Sequence, residues 1–176
     1  MKFLDFADRL YDFVNRLASW PIVAILVVGM LLFNQGFAGR REVTGAQNQL
    51  LDGRRWYTPA DTAELFSELG ELRFYYAFTE LTLDLIYPLT YSLLFAILIL
   101  RTWGARYTWL MYIPLLTLIF DLVENILITF MALTFDGSPT GLAWAAAVFT
   151  LGRTLLFLGS LLLVLNGGVI RLFDQR

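Results

Sequence analysis

Four long apolar runs, separated by short polar stretches, dominate this chain. They cover residues 20–37, 74–101, 108–133 and 142–166, and each is long enough to cross a hydrocarbon layer as a helix. Trp20 marks an interfacial start for the first run, and Arg40-Arg41 lie beyond its end. The second ends at Arg101, and the third follows the short turn TWGAR. The fourth ends at Asn166-Gly167-Gly168, which reads as a helix stop before Arg171. Short connections make spans two, three and four antiparallel neighbours. The pattern predicts an all-α integral membrane protein: one domain, 1–176, built as a four-transmembrane-helix bundle.

Two further helices follow from local signals. Over residues 1–19, Phe3, Phe6, Leu10, Phe13, Val14 and Leu17 fall at helical spacing, with Lys2, Asp5, Asp8, Arg9, Asp12, Asn15 and Arg16 on the other side. That is an N-terminal amphipathic surface helix lying along the membrane. The only long connection, 38–73, carries Thr58 as an N-cap, Pro59 at the first helical position and Asp61 in the first turn, so a short helix is expected over 59–69 before Gly70. There is no internal repeat, so the inverted-repeat plan of secondary transporters finds no support.

Composition agrees with a lipid-facing surface: 58% of residues are hydrophobic and only 16% charged, with a mean hydropathy of +0.64. The three acidic and three basic residues before Trp20, and the length of the first run, argue against a cleaved signal peptide. A net charge of −2 offers no field for nucleic acid. The chain has neither Cys nor His, which removes disulfides, thiol chemistry, the commonest general base and the usual haem and metal ligands. No metal site and no cofactor is expected. Orientation is weakly marked: an N-in, C-in arrangement puts Lys2, Arg9, Arg16, Arg101, Arg106, Arg171 and Arg176 inside. It puts Arg40, Arg41, Arg54, Arg55 and Arg73 outside.

The candidate chemistry lies within the spans. Glu80, Asp84, Tyr87 and Tyr91 share one face of span two, and Pro88 among them frees the Asp84 carbonyl from its helical bond. Thr117, Asp121, Glu124 and Asn125 share a face of span three, and Arg153 sits near the middle of span four. Counted at ~1.5 Å of rise per residue, Asp84 comes level with Glu124, and Asp121 with Arg153. A lone charge in hydrocarbon costs at least about 2.5–3.5 kcal/mol, so these groups must face inward and pair. Asp121 or Glu124 is the expected partner of Arg153. Four carboxylates facing that single base would leave three charges uncompensated, which calls for protonation, a bound cation, water or a ligand.

Three kinds of function fit this pattern. One is non-catalytic: an accessory subunit, or a bundle binding a lipid or small amphiphile. Glu80, Asp84, Tyr87, Tyr91, Asp121, Glu124, Asn125 and Arg153 are its candidate binding residues. Phe157, Trp56 and Tyr57 would add aromatic lining for a hydrophobic ligand with a cationic head. A second is an intramembrane enzyme using Asp84 and Glu124 as acid and base on a lipid-like substrate. In architecture alone this resembles the sterol-isomerase type, small helical bundles with acidic and aromatic residues around a carbocation. The third is a proton or cation pathway. Since the other half of the bilayer is unbroken Leu, Ile, Phe and Ala, such a pathway would need a homo-oligomer. Expected partners are membrane lipid and, in the accessory reading, other subunits of a membrane complex or further copies of the chain, with no nucleic acid.

Overall fold

The computed structural model describes residues 2–45, 50–103 and 105–174, with the side chains of 2–4, 105, 106 and 174 left aside. The side chains of Lys2, Phe3 and Arg106, and the whole of Arg176, therefore lie outside the described residues. No strand occurs among those described. The helices are α1 (Lys2–Leu17), α2 (Trp20–Thr44), α3 (Pro59–Leu69), α4 (Leu72–Glu80), α5 (Leu83–Trp103), α6 (Tyr112–Thr134) and α7 (Leu142–Asp174). Short 3₁₀ segments occupy Leu51–Gly53 and Ala105–Met111. Four helical stretches are long and apolar enough to cross a membrane: Trp20–Thr44, Leu72–Trp103, Tyr107–Thr134 and Leu142–Phe173.

α5, α6 and α7 pack on one another, and α2 joins them through α5 and α4. The contact face of α2 reads Val23, Leu26, Met30, Phe33 and Phe37 at alternating steps of three and four, the spacing of a helix seam. Ile25, Val28, Leu31 and Leu32 point away from the bundle, where lipid would cover them. α1 lies against α5 with Val14 buried, and two side chains tie it down. The Tyr112 hydroxyl donates to the Ala7 carbonyl, and Arg101 donates to the Ala18 carbonyl while stacking over Trp20. Phe6 and Phe13 remain exposed along one edge of α1, as an interfacial helix requires.

Three helix ends differ from the sequence pattern. α2 continues past Phe37 to Thr44, because Arg40 turns inward rather than out to the interface. Span two is interrupted at Leu81–Thr82, not at Pro88, through which α5 runs. The carbonyl of Asp84 that Pro88 leaves free accepts instead from the Asn125 side chain on α6. α7 passes straight through Gly167-Gly168 to Asp174. Gly167 is a packing residue, not a stop: a Cβ there would collide with Thr102 and Trp103 of α5. Arg171, one turn on, donates to the Arg101 carbonyl at 2.6 Å.

Two apolar cores stack along the bundle with a polar layer between them. The loop-side core joins Leu51, Tyr57, Leu65 and Phe66 to Tyr76, Ile128 and Met131, and Ala143, Ala146 and Ala147 let α7 approach closely. The other core gathers Val14, Val23, Leu94, Phe95, Ile97 and Met111 around α5.

α3 caps the loop-side core, and its N-terminus carries a reciprocal capping box. The Thr58 hydroxyl accepts from the Asp61 N–H at 3.2 Å, and the Asp61 carboxylate accepts from the Thr58 N–H at 2.7 Å. The Thr58 backbone bond, reinforced by its hydroxyl, holds the Asp61 carboxyl below its ordinary range. A depressed carboxylate stabilises the fold above its unfolded pKa of about 3.9 and loses that contribution as pH falls through the folded value. Hydrogen-exchange protection of residues 62–69 is therefore expected to be full at pH 6 and reduced at pH 3. Thr58→Ala should lower it at pH 6 by about 1 kcal/mol. Equal protection at both pH values contradicts the capping role.

Candidate functional site: a two-arginine cluster and its cleft

The polar layer is built around two guanidinium groups. Arg40 of α2 is 3% exposed and meets three carboxylates: Asp52 from the 3₁₀ turn, Glu80 at the end of α4 (2.9 Å) and Asp84 at the start of α5. Arg153 of α7 meets two, Glu124 at 2.9 Å and Asp121 at 3.5 Å, both from α6. The Arg153 pairing expected from depth counting thus involves both candidate carboxylates.

Asp52 links the two centres. Its carboxylate takes Arg40 and the Tyr76 hydroxyl, while its backbone carbonyl accepts from Arg153 at 2.6 Å. Leu50 and Leu51, buried on the loop-side core, pin the turn that carries it.

Further bonds fix the remaining groups. The Tyr91 hydroxyl donates to Asp121 at 2.6 Å, and Asn125 donates to Asp121 at 3.2 Å as well as to the Asp84 carbonyl. Thr150 donates to Glu124 at 2.8 Å and lies 3.2 Å from the Tyr57 hydroxyl. Burial pushes the Tyr57 phenol well above its ordinary pKa, so it stays protonated.

The expectation of one intramembrane base is corrected here. Arg40 is a second, and Asp52 is a fifth carboxylate; five acids against two bases still leaves a surplus of three. The Arg40 signal was present in the sequence: Phe37, Arg40 and Thr44 continue the three–four seam of α2, which turns Arg40 inward and Arg41 out. Asp52 carries no such signal, because it lies in a non-periodic turn. The oxygens of Asp52, Glu80 and Asp84 lie within 4.8 Å of one another, a spacing suited to a cation. The Arg40 guanidinium is the cation that fills it.

A cleft of about 330 Å³ runs down this layer between α2 and α7. Its polar end holds Arg40, Arg41, Asp52, Asp84, Asp121 and Arg153, and its other walls are Phe37, Tyr87, Tyr91 and Phe157. Phe37, Tyr87, Tyr91 and Phe157 form a chain of edge-on rings, each 5.1–5.4 Å from the next. Asn34 and Leu158 stand exposed at the rim. Counted from Gly167, Arg153 lies ~21 Å up α7 and Phe157 ~15 Å, so the polar end faces the long loop and the aromatic end faces mid-membrane.

Of the sequence candidates, Asp84, Tyr87, Tyr91, Asp121 and Arg153 line this cleft. Glu80, Glu124 and Asn125 belong to the same network but lie behind its wall. Trp56 packs at a tilt against Trp144 and Tyr57 is buried beside Thr150, so neither loop aromatic lines the cleft.

The chain is thus an all-α, membrane-type helical bundle with a buried arginine–carboxylate cluster. Comparison with family models, curated proteins and solved structures gave no match.

Removing one partner of a buried pair costs about 3–5 kcal/mol, because the other charge is stranded. Arg40→Leu strands three carboxylates at once and is expected to destabilise the detergent-solubilised protein by at least that much. Thermal unfolding checks it, and a loss below about 1 kcal/mol would show that Arg40 is not buried among acids.

Proposed function

We propose that this protein is a non-catalytic membrane bundle that binds a single-chain or slender amphiphile in the cleft between α2 and α7. The carrying observation is the cleft's polarity gradient. Charged groups gather at the loop end, aromatic rings line the mid-membrane end, and exposed rim residues stand on both flanking helices. A lipid-like molecule standing in one leaflet has the same gradient, head outward and chain inward. Its chain would lie against Phe157 and Leu158, and its head among Asp84, Asp121 and the arginines. The volume suits a small ligand or a headgroup with the first part of its chain.

Acid–base catalysis on such an amphiphile is the second reading. It draws on Asp84 and Asp121, which face the cleft from two helices. Glu124, the other candidate acid or base, turns away to Thr150 and Arg153, which favours binding over chemistry.

Native mass spectrometry of gently extracted protein is expected to find a co-purifying amphiphile. Thr154→Trp, which fills the cleft from α7, should displace it while leaving the melting temperature unchanged or higher. Unchanged occupancy in that variant, or release of the wild type with stoichiometric partner subunits and no amphiphile, contradicts the reading.

A further inference from the structure

The charges that line the cleft are balanced, although those of the whole cluster are not. Three guanidinium groups (Arg40, Arg41, Arg153) face three carboxylates (Asp52, Asp84, Asp121); with Arg41 counted beside the two cluster arginines the acidic surplus falls to two, Glu80 and Glu124, which are sealed behind the wall with both side chains fully buried. A bare cation would match the cluster's total charge but not the groups it could touch. We propose that the cleft takes the zwitterionic head of a phospholipid, with a phosphate and an ammonium in one molecule. This rests on the reading of the cleft as an amphiphile site.

Each end of such a head has a place. Arg40 and Arg153 are committed to carboxylates, but Arg41 is exposed at the mouth and forms no ion pair among the described residues. A guanidinium free to make two parallel bonds is the side chain best matched to a phosphate. Arg41 also follows Arg40 directly on α2, and Arg40 touches Asp84. Although the two arginines point in different directions, Arg41 lines the same cleft as Asp84 and Asp121, so the free guanidinium and the acidic floor flank one opening. From a phosphate held at Arg41, the short linker of the head lets its ammonium bend back to the acidic floor, where the ion-paired Asp84 and Asp121 line the cleft beside the Tyr87 and Tyr91 rings, an aromatic surface that stabilises an ammonium. Both tyrosines are packed by neighbouring rings, so that surface is preformed. A phosphate source in membrane lipid, not in solution, follows from the aromatic lower end and the exposed rim on α2 and α7.

The test measures binding to purified protein in neutral maltoside micelles by native mass spectrometry. Three probes are compared: a single-chain phosphocholine lysolipid, an alkyltrimethylammonium of equal chain length, and free phosphocholine. The lysolipid should bind at least tenfold more tightly than the cationic amphiphile, and free phosphocholine far more weakly than either. Arg41→Gln should reduce the lysolipid-to-cation affinity ratio about tenfold, and Arg41→Lys should restore most of it. Because Arg41 is exposed and forms no ion pair among the described residues, neither variant should shift the melting temperature. Equal or tighter binding of the cationic amphiphile, or an unchanged ratio in Arg41→Gln, overturns the zwitterion assignment and leaves the amphiphile site standing. Free phosphocholine binding as tightly as the lysolipid overturns the lipid source. Failure of both amphiphiles to bind overturns the amphiphile site as well.

Discussion

A guanidinium cannot be left bare in hydrocarbon, and this bundle contains two that are bound together through one loop residue. Asp52 gives its carboxylate to Arg40 and its backbone carbonyl to Arg153. Through it the upper half of α2, the ends of α4 and α5, the acidic face of α6 and the middle of α7 are tied into one layer. In a membrane the helices gain nothing from leaving water for one another, so packing and polar bonds must supply the association. Here packing fills the layers above and below, and the polar bonds fix the register between them.

The same layer accounts for the cleft. α2 leans on α5 and α4 and reaches toward α7 mainly through Arg40, by way of Asp52. Below that link, Phe37 and Tyr87 meet edge-on, and Tyr91 closes against Phe157. The aromatic seam lines the gap without filling it. The ion pairs that hold the helices therefore also line the gap with charge of both signs.

The spans, the surface helix and the capped loop helix were legible because each rests on periodicity or on a local capping signal that lipid and backbone chemistry enforce. The convergence of Asp84, Asp121, Glu124 and Arg153 followed from depth alone, since rise per residue is nearly constant in a helix. Arg40 was read as interfacial because it neighbours Arg41. Adjacent residues on a helix point about 100° apart, and the seam through Phe37 and Thr44 separates them. Gly167 was read as a stop by the rules of soluble helices, whereas between membrane helices glycine marks close approach to Thr102 and Trp103. Asp52 could not be read at all, because its role depends on how an aperiodic turn folds back onto the bundle, with Leu50 and Leu51 as its anchors.

The most direct test of the account is a double-mutant cycle between residues 40 and 52, which sit on different elements and meet only if the loop is seated as described. Arg40→Leu, Asp52→Ala and the double variant are compared with wild type by unfolding in one detergent. A coupling of about 1–3 kcal/mol is predicted, as contacting members of one network give. Additivity within about 0.5 kcal/mol would mean that Asp52 does not bridge the two arginines. The layer that ties the helices together would then have to be rebuilt on other contacts.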